Sequence, residues 1–183
     1  MKGISFCTAI QNRLWQLQQT LPHNLKFTIA GSIEICILVY NDEDTYSWLS
    51  QNFKAELSDG RLKVKHHVDG REWEFGYVKS LSHELGTRRV LFNLDADNYI
   101  DGTVDTLLDL NDHEVVTPKS DYPDMGDGRI GRIGLTRKRY EMIGGYDHGT
   151  GSRQDGLLIY KAAISGCKVI QLPCPVKPIS NLK

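Results

Sequence analysis

The stretch VLFNLDADN at residues 90–98 is the most informative segment of the chain. It begins with mainly apolar residues of the types that favour a buried strand, and it stops at two carboxylates, Asp95 and Asp97. Residues i and i+2 of an extended strand point to the same side, so we expect both carboxylates to face one small volume. Anionic oxygens at the carboxyl end of a buried strand suit a divalent cation that also binds phosphates.

The composition is that of a soluble globular protein with one domain. Of the 183 residues, 40% are hydrophobic and 25% are charged, and the formal net charge is −1. A nucleic-acid binder normally carries a surplus of basic residues, so we expect no nucleic-acid partner. No apolar run approaches the roughly 20 residues that span a bilayer, and the first residues lack the form of a signal peptide. We therefore expect no membrane span.

The cysteines are scattered, and none belongs to a Cys-x-x-Cys pair. Cys7 and Cys36 lie inside apolar strand patterns, where a free thiol behaves as a small hydrophobic side chain. This spacing disfavours a zinc site or a disulfide framework and predicts a reduced, cytoplasmic protein.

Strand and helix patterns alternate along the first hundred residues. Apolar and β-branched runs predict strands at residues 3–9, 33–40 and 62–68, before the strand that leads to Asp95. Helical spacing predicts helices at residues 10–21, ended by Pro22, from the polar cluster at 41–44 through Phe53, and at 75–85. This alternation predicts an α/β fold with a mostly parallel central sheet flanked by helices.

The second half continues with shorter elements. We expect helices at residues 103–110 and 154–165, and strands at 115–118, 132–137 and 169–172. Leu157, Tyr160 and Ile164 would share the apolar face of the last helix, which Gly166 would cap. Residues 119–131, rich in Asp, Gly and Pro, predict a loop, and the Pro-rich end predicts an extended tail.

Several segments carry motifs in a fixed order. They read CTAIQNR at 7–13, LVYND at 38–42, FGYVKSL at 75–81, NLDADN at 93–98, and GRIGL at 131–135 followed by GGYD at 144–147. Together they resemble the family 2 glycosyltransferases and their relatives of the GT-A fold, with a galactosyltransferase-like C-terminal segment. NLDADN matches the Asp-x-Asp motif of that family. QDGL at 154–157 stands where the family usually carries Glu-Asp-x-Asp-Leu, so Gln154 replaces the usual glutamate.

The resemblance implies a single GT-A (Rossmann-like) domain, with a nucleotide-binding half at residues 1–98 and an acceptor-side half at 99–183. It implies a metal-dependent glycosyltransferase, a hexosyltransferase, which uses Mn²⁺ or Mg²⁺. The donor would be a nucleoside diphosphate sugar, a UDP-sugar in our interpretation, and the acceptor a saccharide or another hydroxyl compound. The implied reaction is an inverting single displacement.

Three carboxylates carry the chemistry that the resemblance implies. Asp97 would be the main metal ligand, and Asp95 would contribute through the metal's waters or through the donor's ribose. Asp155 would be the general base that takes the proton of the acceptor hydroxyl. The competing interpretations are a solvated turn for the first two residues and a helix N-terminal residue, favoured by the helix dipole, for Asp155.

Other residues would hold the donor. Thr8, Ala9 and Arg13 would line the base and ribose, and Asp42 would bind the nucleobase, although Asp44 could replace it and either could be a helix cap. The remaining donor-site residues that the resemblance implies are Lys79, near the base or the phosphates, Ala96 within the Asp-x-Asp motif, and Arg129 and Arg132, near the diphosphate. Trp73 is a possible sugar-stacking surface, and a role for His148 at the metal or the acceptor stays open.

Two alternatives remain. A sugar nucleotidyltransferase would normally carry a Gly-rich loop after the first strand, and residues 8–13 contain no glycine. A catalytically silent nucleotide-sugar-binding domain is kept open by Gln154 and by the short stretch of chain after the core.

Overall fold

The strands of the chain form one mixed sheet in a computed structural model, which describes residues 2–100, 104–119, 131–149, 153–173 and 178–179. Within these residues the strands are Ile4–Ile10 (β1), Ile33–Tyr40 (β2), Leu62–His67 (β3), Val90–Asn93 (β4), Glu114–Pro118 (β5), Ile133–Thr136 (β6) and Lys168–Leu172 (β7). Their order across the sheet is β3-β2-β1-β4-β6-β5-β7. All neighbours pair in parallel except β6, which runs antiparallel to both β4 and β5.

Helices cover both faces of this sheet. They are Leu14–Asn24 (α1), Glu43–Asn52 (α2), Lys54–Ser58 (α3), Phe75–Leu85 (α4), Val104–Asp109 (α5), Arg137–Met142 (α6) and Gln154–Ile164 (α7), and Leu25–Phe27 forms a 3₁₀ turn. Alternate residues of β1 and β2 face opposite layers, so Phe6 packs with Leu17 of α1, whereas Leu38 packs with Val78 of α4. The predicted single α/β domain with a mostly parallel sheet is confirmed.

The strand that opens the motif is shorter than its sequence predicts. β4 ends at Asn93, and residues 95–98 form a turn in which Asn98 N donates to Asp95 O at 2.9 Å. The extended geometry expected for Asp95 and Asp97 is therefore wrong, because the ladder between β1 and β4 stops at the pair Cys7–Asn93. Asp and Asn favour turns, so the chain leaves the sheet where the polar residues begin.

The first helix also differs from its prediction. It begins at Leu14 and continues to Asn24, so Pro22 lies inside its last turn and does not end it. The side chain of Asn24 explains the extension, because its Nδ2 donates to Asn98 O at 3.0 Å and its Oδ1 accepts from Ile100 N at 2.7 Å. These tertiary contacts outweigh the backbone donor that proline removes. They also fix the turn after β4 against α1.

The second half contains two further differences. Helix α6 was not predicted, and the expected apolar face of α7 is wrong, because Leu157, Tyr160 and Ile164 are 41%, 61% and 67% exposed. The helix instead buries Leu158 and Ala162 against β5 and β6. Its polar residues Gln154 and Asp155 are buried as well. Gly166 adopts the positive φ of +90° that follows the helix, as predicted. Most of the predicted 119–131 loop and of the Pro-rich tail lies outside the described residues.

The amino ends of the parallel strands hold a buried carboxylate, Glu34 on β2. It accepts hydrogen bonds from Ser5 Oγ and Thr87 N, both at 2.7 Å, and forms an ion pair with Lys63 Nζ at 3.0 Å. This network joins β1, β2, β3 and the segment before β4 at one edge of the sheet. No helix in the described part of the chain is long and apolar enough to cross a membrane.

Candidate active site

A cleft of about 380 Å³ lies at the opposite edge, where β1 and β4 end. Seven of the residues predicted for the site line it: Ala9, Arg13, Lys79, Asp95, Ala96, Asp97 and Asp155. Trp73 and Phe75 line the same cleft, with their ring centroids 5.9 Å apart. Parallel strands bring their carboxyl ends to one edge, and this is where open α/β sheets bind ligands. The fold therefore gathers residues that are far apart in sequence around one volume.

Asp97 is held in an environment that disfavours its charge. The residue is only 8% exposed, and its Oδ1 accepts a hydrogen bond from Asn98 Nδ2 at 2.7 Å. Burial, together with the negative charge of Asp95, raises the pKa of Asp97 to about 6. A cation between the two carboxylates would remove both penalties.

Asp95 is positioned by neighbours on three sides. Asn93 Nδ2 donates to its Oδ1 at 3.1 Å and also to Gly131 O, and Lys79 Nζ lies 3.3 Å from the same Oδ1. A Cβ atom at position 131 would overlap the Asp95 carboxylate, so a larger residue there would displace this carboxylate. The carboxylate is thus held in one orientation on the wall of the cleft.

These two carboxylates fit a hard divalent cation as a partial site. Their oxygens are the ligand type that Mg²⁺ and Mn²⁺ prefer. Within the described residues, no group of three or more His, Cys, Asp or Glu side chains could hold a metal ion. A metal here would therefore complete its coordination with water and with the phosphates of a ligand.

The base predicted at Asp155 is engaged in an ion pair. Lys79 Nζ donates to Asp155 Oδ1 at 2.8 Å and to Oδ2 at 2.7 Å, and Tyr146 Oη donates to Oδ1 at 3.1 Å. Both partners are buried, because Lys79 is 5% and Asp155 9% exposed. The sequence predicted both residues for the site but did not predict their contact.

Burial and neighbouring charges act together on this pair. Burial would lower the pKa of Lys79, but the carboxylates of Asp95 and Asp155 outweigh it, so the pKa is raised and the ammonium stays charged. Burial raises the pKa of Asp155, and the charge of Asp95 adds to this effect, whereas Lys79 opposes it. The net pKa is raised, which favours proton acceptance, but the contact with Lys79 limits this effect.

Three predicted donor residues do not line the cleft and instead form hydrogen bonds with other parts of the protein. Thr8 Oγ1 donates to Leu94 O at 2.6 Å. Asp42 caps α2 and accepts from Thr45 N at 3.1 Å and from Asn12 N at 2.7 Å, so it holds the turn after β1, where Asn12 has a φ of +57°. Arg132 is buried, and its Nε donates to Asn98 Oδ1 at 2.8 Å. Arg129 lies outside the described residues.

Three positioning residues were missed by the sequence-based prediction. Asn93 and Asn98 orient Asp95 and Asp97, and Tyr146 orients Asp155. The signal for the asparagines was present, because Asn93 stands two residues before Asp95 and Asn98 follows Asp97 directly. His148, whose role was left open, is exposed and packs its ring 5.5 Å from that of Tyr77.

His83 of α4 is buried next to the site, and its protonation is expected to make the stability of the fold depend on pH. Its Nδ1–H donates to Lys79 O at 2.8 Å, and burial lowers its pKa to about 4 from an ordinary 6.5. Between pH 6.5 and pH 4, His83 is protonated in the unfolded chain but not in the folded chain. The free energy of unfolding therefore falls as the pH falls through this range. We expect the free energy of unfolding to lose about 2 to 3 kcal/mol through His83 between pH 7 and pH 4.5.

Urea unfolding of the wild type and of His83→Phe at both pH values measures this loss. The phenylalanine keeps an aromatic ring against Tyr140, whose ring is stacked on His83 at 5.0 Å, but it cannot bind a proton. The difference between the two proteins isolates His83 from the carboxylates that titrate in the same range. An equal pH dependence in both proteins contradicts the prediction.

Comparison of the sequence with protein-family models gives no match, and no curated protein matches it. Solved structures, in contrast, share its fold. A mannosyltransferase from Pyrobaculum calidifontis, PcManGT, in complex with GDP-Man and Mn²⁺ has a TM-score of 0.70 at 14% identity, and the match covers 93% of this chain and 54% of that one. S. aureus TarS 1-349 has a TM-score of 0.73 at 14% identity, and the match covers 96% of this chain and 59% of that one.

GalNAc-T7, in a structure with UDP, GalNAc and Mn²⁺, has a TM-score of 0.68 at 16% identity, and the match covers 95% of this chain and 43% of that one. The chain thus spans between 43% and 59% of the length of these three structures. At such low identity the similarity concerns the fold. It shows a GT-A glycosyltransferase fold, which confirms the fold expected from the sequence.

Proposed function

We propose that this chain is a metal-dependent glycosyltransferase that transfers a sugar from a nucleoside diphosphate sugar to a hydroxyl acceptor with inversion of configuration. The observation that carries the proposal is the cleft at the carboxyl edge of the sheet, where Asp95 and Asp97 share one volume with Lys79 and Asp155. An acidic pair suited to a cation and a separate buried carboxylate are the two components that such a transfer needs. The donor that we favour is a UDP-sugar.

The donor would be held by residues from both sides of the cleft. Residues 1–98 would form the nucleotide-binding half, with Ala9 and Arg13 against the nucleoside. Thr8 and Asp42 would act mainly by fixing the backbone that surrounds it, through Leu94 and Asn12. Residues 99–183 would form the acceptor-side half, which contributes Asp155.

Mn²⁺ or Mg²⁺, when bound, would act as a Lewis acid that stabilises negative charge on the leaving diphosphate. Asp97 would hold it as the main ligand and Asp95 as the second, and Arg132 would keep Asn98 in place behind Asp97. On the other wall, Asp155 would accept the proton of the acceptor hydroxyl as that oxygen attacks the anomeric carbon. One base on the face opposite the leaving group gives a single displacement.

The ion pair between Lys79 and Asp155 favours a second candidate, a catalytically silent domain that binds nucleotide sugars. Both oxygens of Asp155 accept hydrogen bonds from Lys79, which would weaken the carboxylate as a base if the pair never opened. Donor binding is common to the two candidates, and turnover separates them.

Thermal unfolding with UDP and Mn²⁺, followed by an assay of UDP-sugar hydrolysis, tests the proposal. At about a hundred times its Kd, UDP is expected to add about 2.7 kcal/mol and to raise the Tm by roughly 5–10 °C. Slow release of UDP from the donor, dependent on Mn²⁺, is expected for the enzyme. Binding without hydrolysis or transfer would support the silent domain, and no Tm shift with any nucleoside diphosphate would contradict both.

A further inference from the structure

Lys79 occupies the position between the two carboxylate sites of the cleft. Its Nζ lies 2.7 and 2.8 Å from the two oxygens of Asp155 and 3.3 Å from Asp95 Oδ1. Its side chain is 7% exposed and lies over the ring of Tyr146, with Nζ 5.8 Å from the centroid. One ammonium group therefore neutralises part of both the proposed metal site and the proposed base.

In this arrangement Lys79 opposes proton transfer to Asp155. A general base needs a carboxylate oxygen that can accept a hydrogen bond from the attacking hydroxyl. In Asp155, Oδ2 accepts from Lys79, and Oδ1 accepts from both Lys79 and Tyr146. An adjacent cation also stabilises the ionised carboxylate, which weakens it as a base. Oδ2, which among the described residues accepts only from Lys79, keeps a free lone pair, so Asp155 becomes an effective base when Lys79 leaves it.

We propose that Lys79 is a positioning residue that holds Asp155 in the ligand-free chain and moves to the diphosphate of the donor when the donor binds. This inference rests on the proposed function. A lysine can make such a move without a change in the backbone, because its ammonium is a compact charge on a flexible stem. Lys79 lines the same cleft as Asp95 and Asp97, next to the place where the diphosphate would lie.

The charges favour the transfer. In the ligand-free chain Lys79 contacts two carboxylates, Asp155 and Asp95. A diphosphate would bring at least two further negative charges into the cleft, and these attract the ammonium. A divalent cation on Asp95 would in addition repel Lys79 from that carboxylate. The donor complex thus supplies both an attraction toward the phosphates and a repulsion from the ligand-free position.

Tyr146 keeps Asp155 in place after the lysine has moved. Its hydroxyl donates to Asp155 Oδ1 at 3.1 Å, and its ring is buried against His83 and Tyr140, at centroid distances of 5.3 and 6.2 Å. Asp155 therefore stays oriented while Oδ2 becomes free. The consequence is an order of events, in which the base becomes available only in the donor complex.

NMR of the wild-type chain, labelled at aspartate carboxyl carbons and at lysine Nζ, tests the movement. The probe is UDP with Mg²⁺, which is diamagnetic, and uridine with Mg²⁺ is the control that lacks phosphates. The Asp155 signal is assigned with Asp155→Asn, and Lys79→Met or Lys79→Gln shows where that signal lies without the lysine. UDP is expected to move the Asp155 signal of the wild type to this position and to shift the Lys79 signal, whereas uridine leaves both unchanged.

Affinities for the same probes give a readout that a purely structural lysine would not change. Lys79→Met is expected to lower the affinity for UDP by roughly tenfold while leaving that for uridine unchanged. Lys63→Met is the matched control, because it removes a lysine from the buried carboxylate of Glu34 at the opposite edge of the sheet. This variant is expected to keep the wild-type ratio of the two affinities.

The outcomes separate this inference from the proposed function. If UDP raises the Tm but leaves the Asp155 and Lys79 signals in place, the role of Lys79 is overturned and the proposed function stands. An unchanged ratio of UDP to uridine affinity in Lys79→Met has the same meaning. If UDP does not bind to the wild type, the proposed function fails and the inference fails with it.

Discussion

Asp97→Asn is expected to lower Mn²⁺-dependent hydrolysis of a UDP-sugar by at least about 100-fold. Asparagine keeps the shape of the side chain and the contact with Asn98 but lacks the charge that would hold the cation. Metal stabilisation of a leaving diphosphate is worth several kcal/mol, and each 1.4 kcal/mol changes the rate by about tenfold. The rate of UDP release over a range of Mn²⁺ concentrations measures the effect.

The folding of Asp97→Asn should not suffer. Burial and the charge of Asp95 raise the pKa of Asp97 to about 6, which means that the ionised carboxylate destabilises the folded chain. The substitution removes this charge. We expect the variant to be at least as stable as the wild type in the absence of metal. Asp109→Asn is the control, because it changes an exposed aspartate on α5 that pairs with Lys2 at 2.7 Å. Full activity in Asp97→Asn, or an equal loss in the control, contradicts the assignment.

Elements with a strong local pattern could be predicted to the residue. The strand predicted at residues 33–40 and the helix predicted at 75–85 have the bounds of β2 and α4. In β2 every residue is buried, and the continuous apolar run from Ile35 to Tyr40 favours a central strand. In α4 the apolar residues follow the helical period, and Val78 faces the sheet. Here the local preference and the tertiary environment agree.

Where a tertiary contact decides the structure, the sequence pattern was misleading. Asn24 extends α1 past Pro22 because it binds the backbone of residues 98 and 100, which no local signal shows. In α7 the sheet selects Leu158 and Ala162, and the apolar residues on the other side, such as Ile164, stay exposed. Such choices depend on what lies opposite an element, and a single sequence does not contain that information.

The same limit applies to the candidate site. Its carboxylates could be found because acidic residues after an apolar strand are visible in the sequence, as Asp95 and Asp97 are. The contact between Lys79 and Asp155 joins residues 76 positions apart on two different helices. The sequence predicted each residue separately, with Lys79 near the donor and Asp155 as the base. The structure adds that they neutralise each other.

Asp155→Asn is expected to reduce donor turnover by roughly 100-fold to 10,000-fold, the range in which a general base contributes. UDP binding should remain, because the proposed donor contacts lie on the other residues of the cleft. The substitution also leaves the buried Lys79 with Asp95 as its remaining carboxylate, at 3.3 Å. Removing one member of a buried ion pair costs roughly 3–5 kcal/mol, and Asp95 should keep the loss at the lower end of that range.

Stability and catalysis can be separated by adding Lys79→Met to Asp155→Asn. The double variant lacks the buried ammonium that has lost Asp155, so we expect it to recover part of the stability that the single variant loses. It still lacks a proton acceptor, so its turnover should stay as low as that of Asp155→Asn. Urea unfolding and the rate of UDP release, measured on the same preparations, give both quantities. Turnover that returned together with stability would show that Asp155 acts through the fold and would remove it as the base.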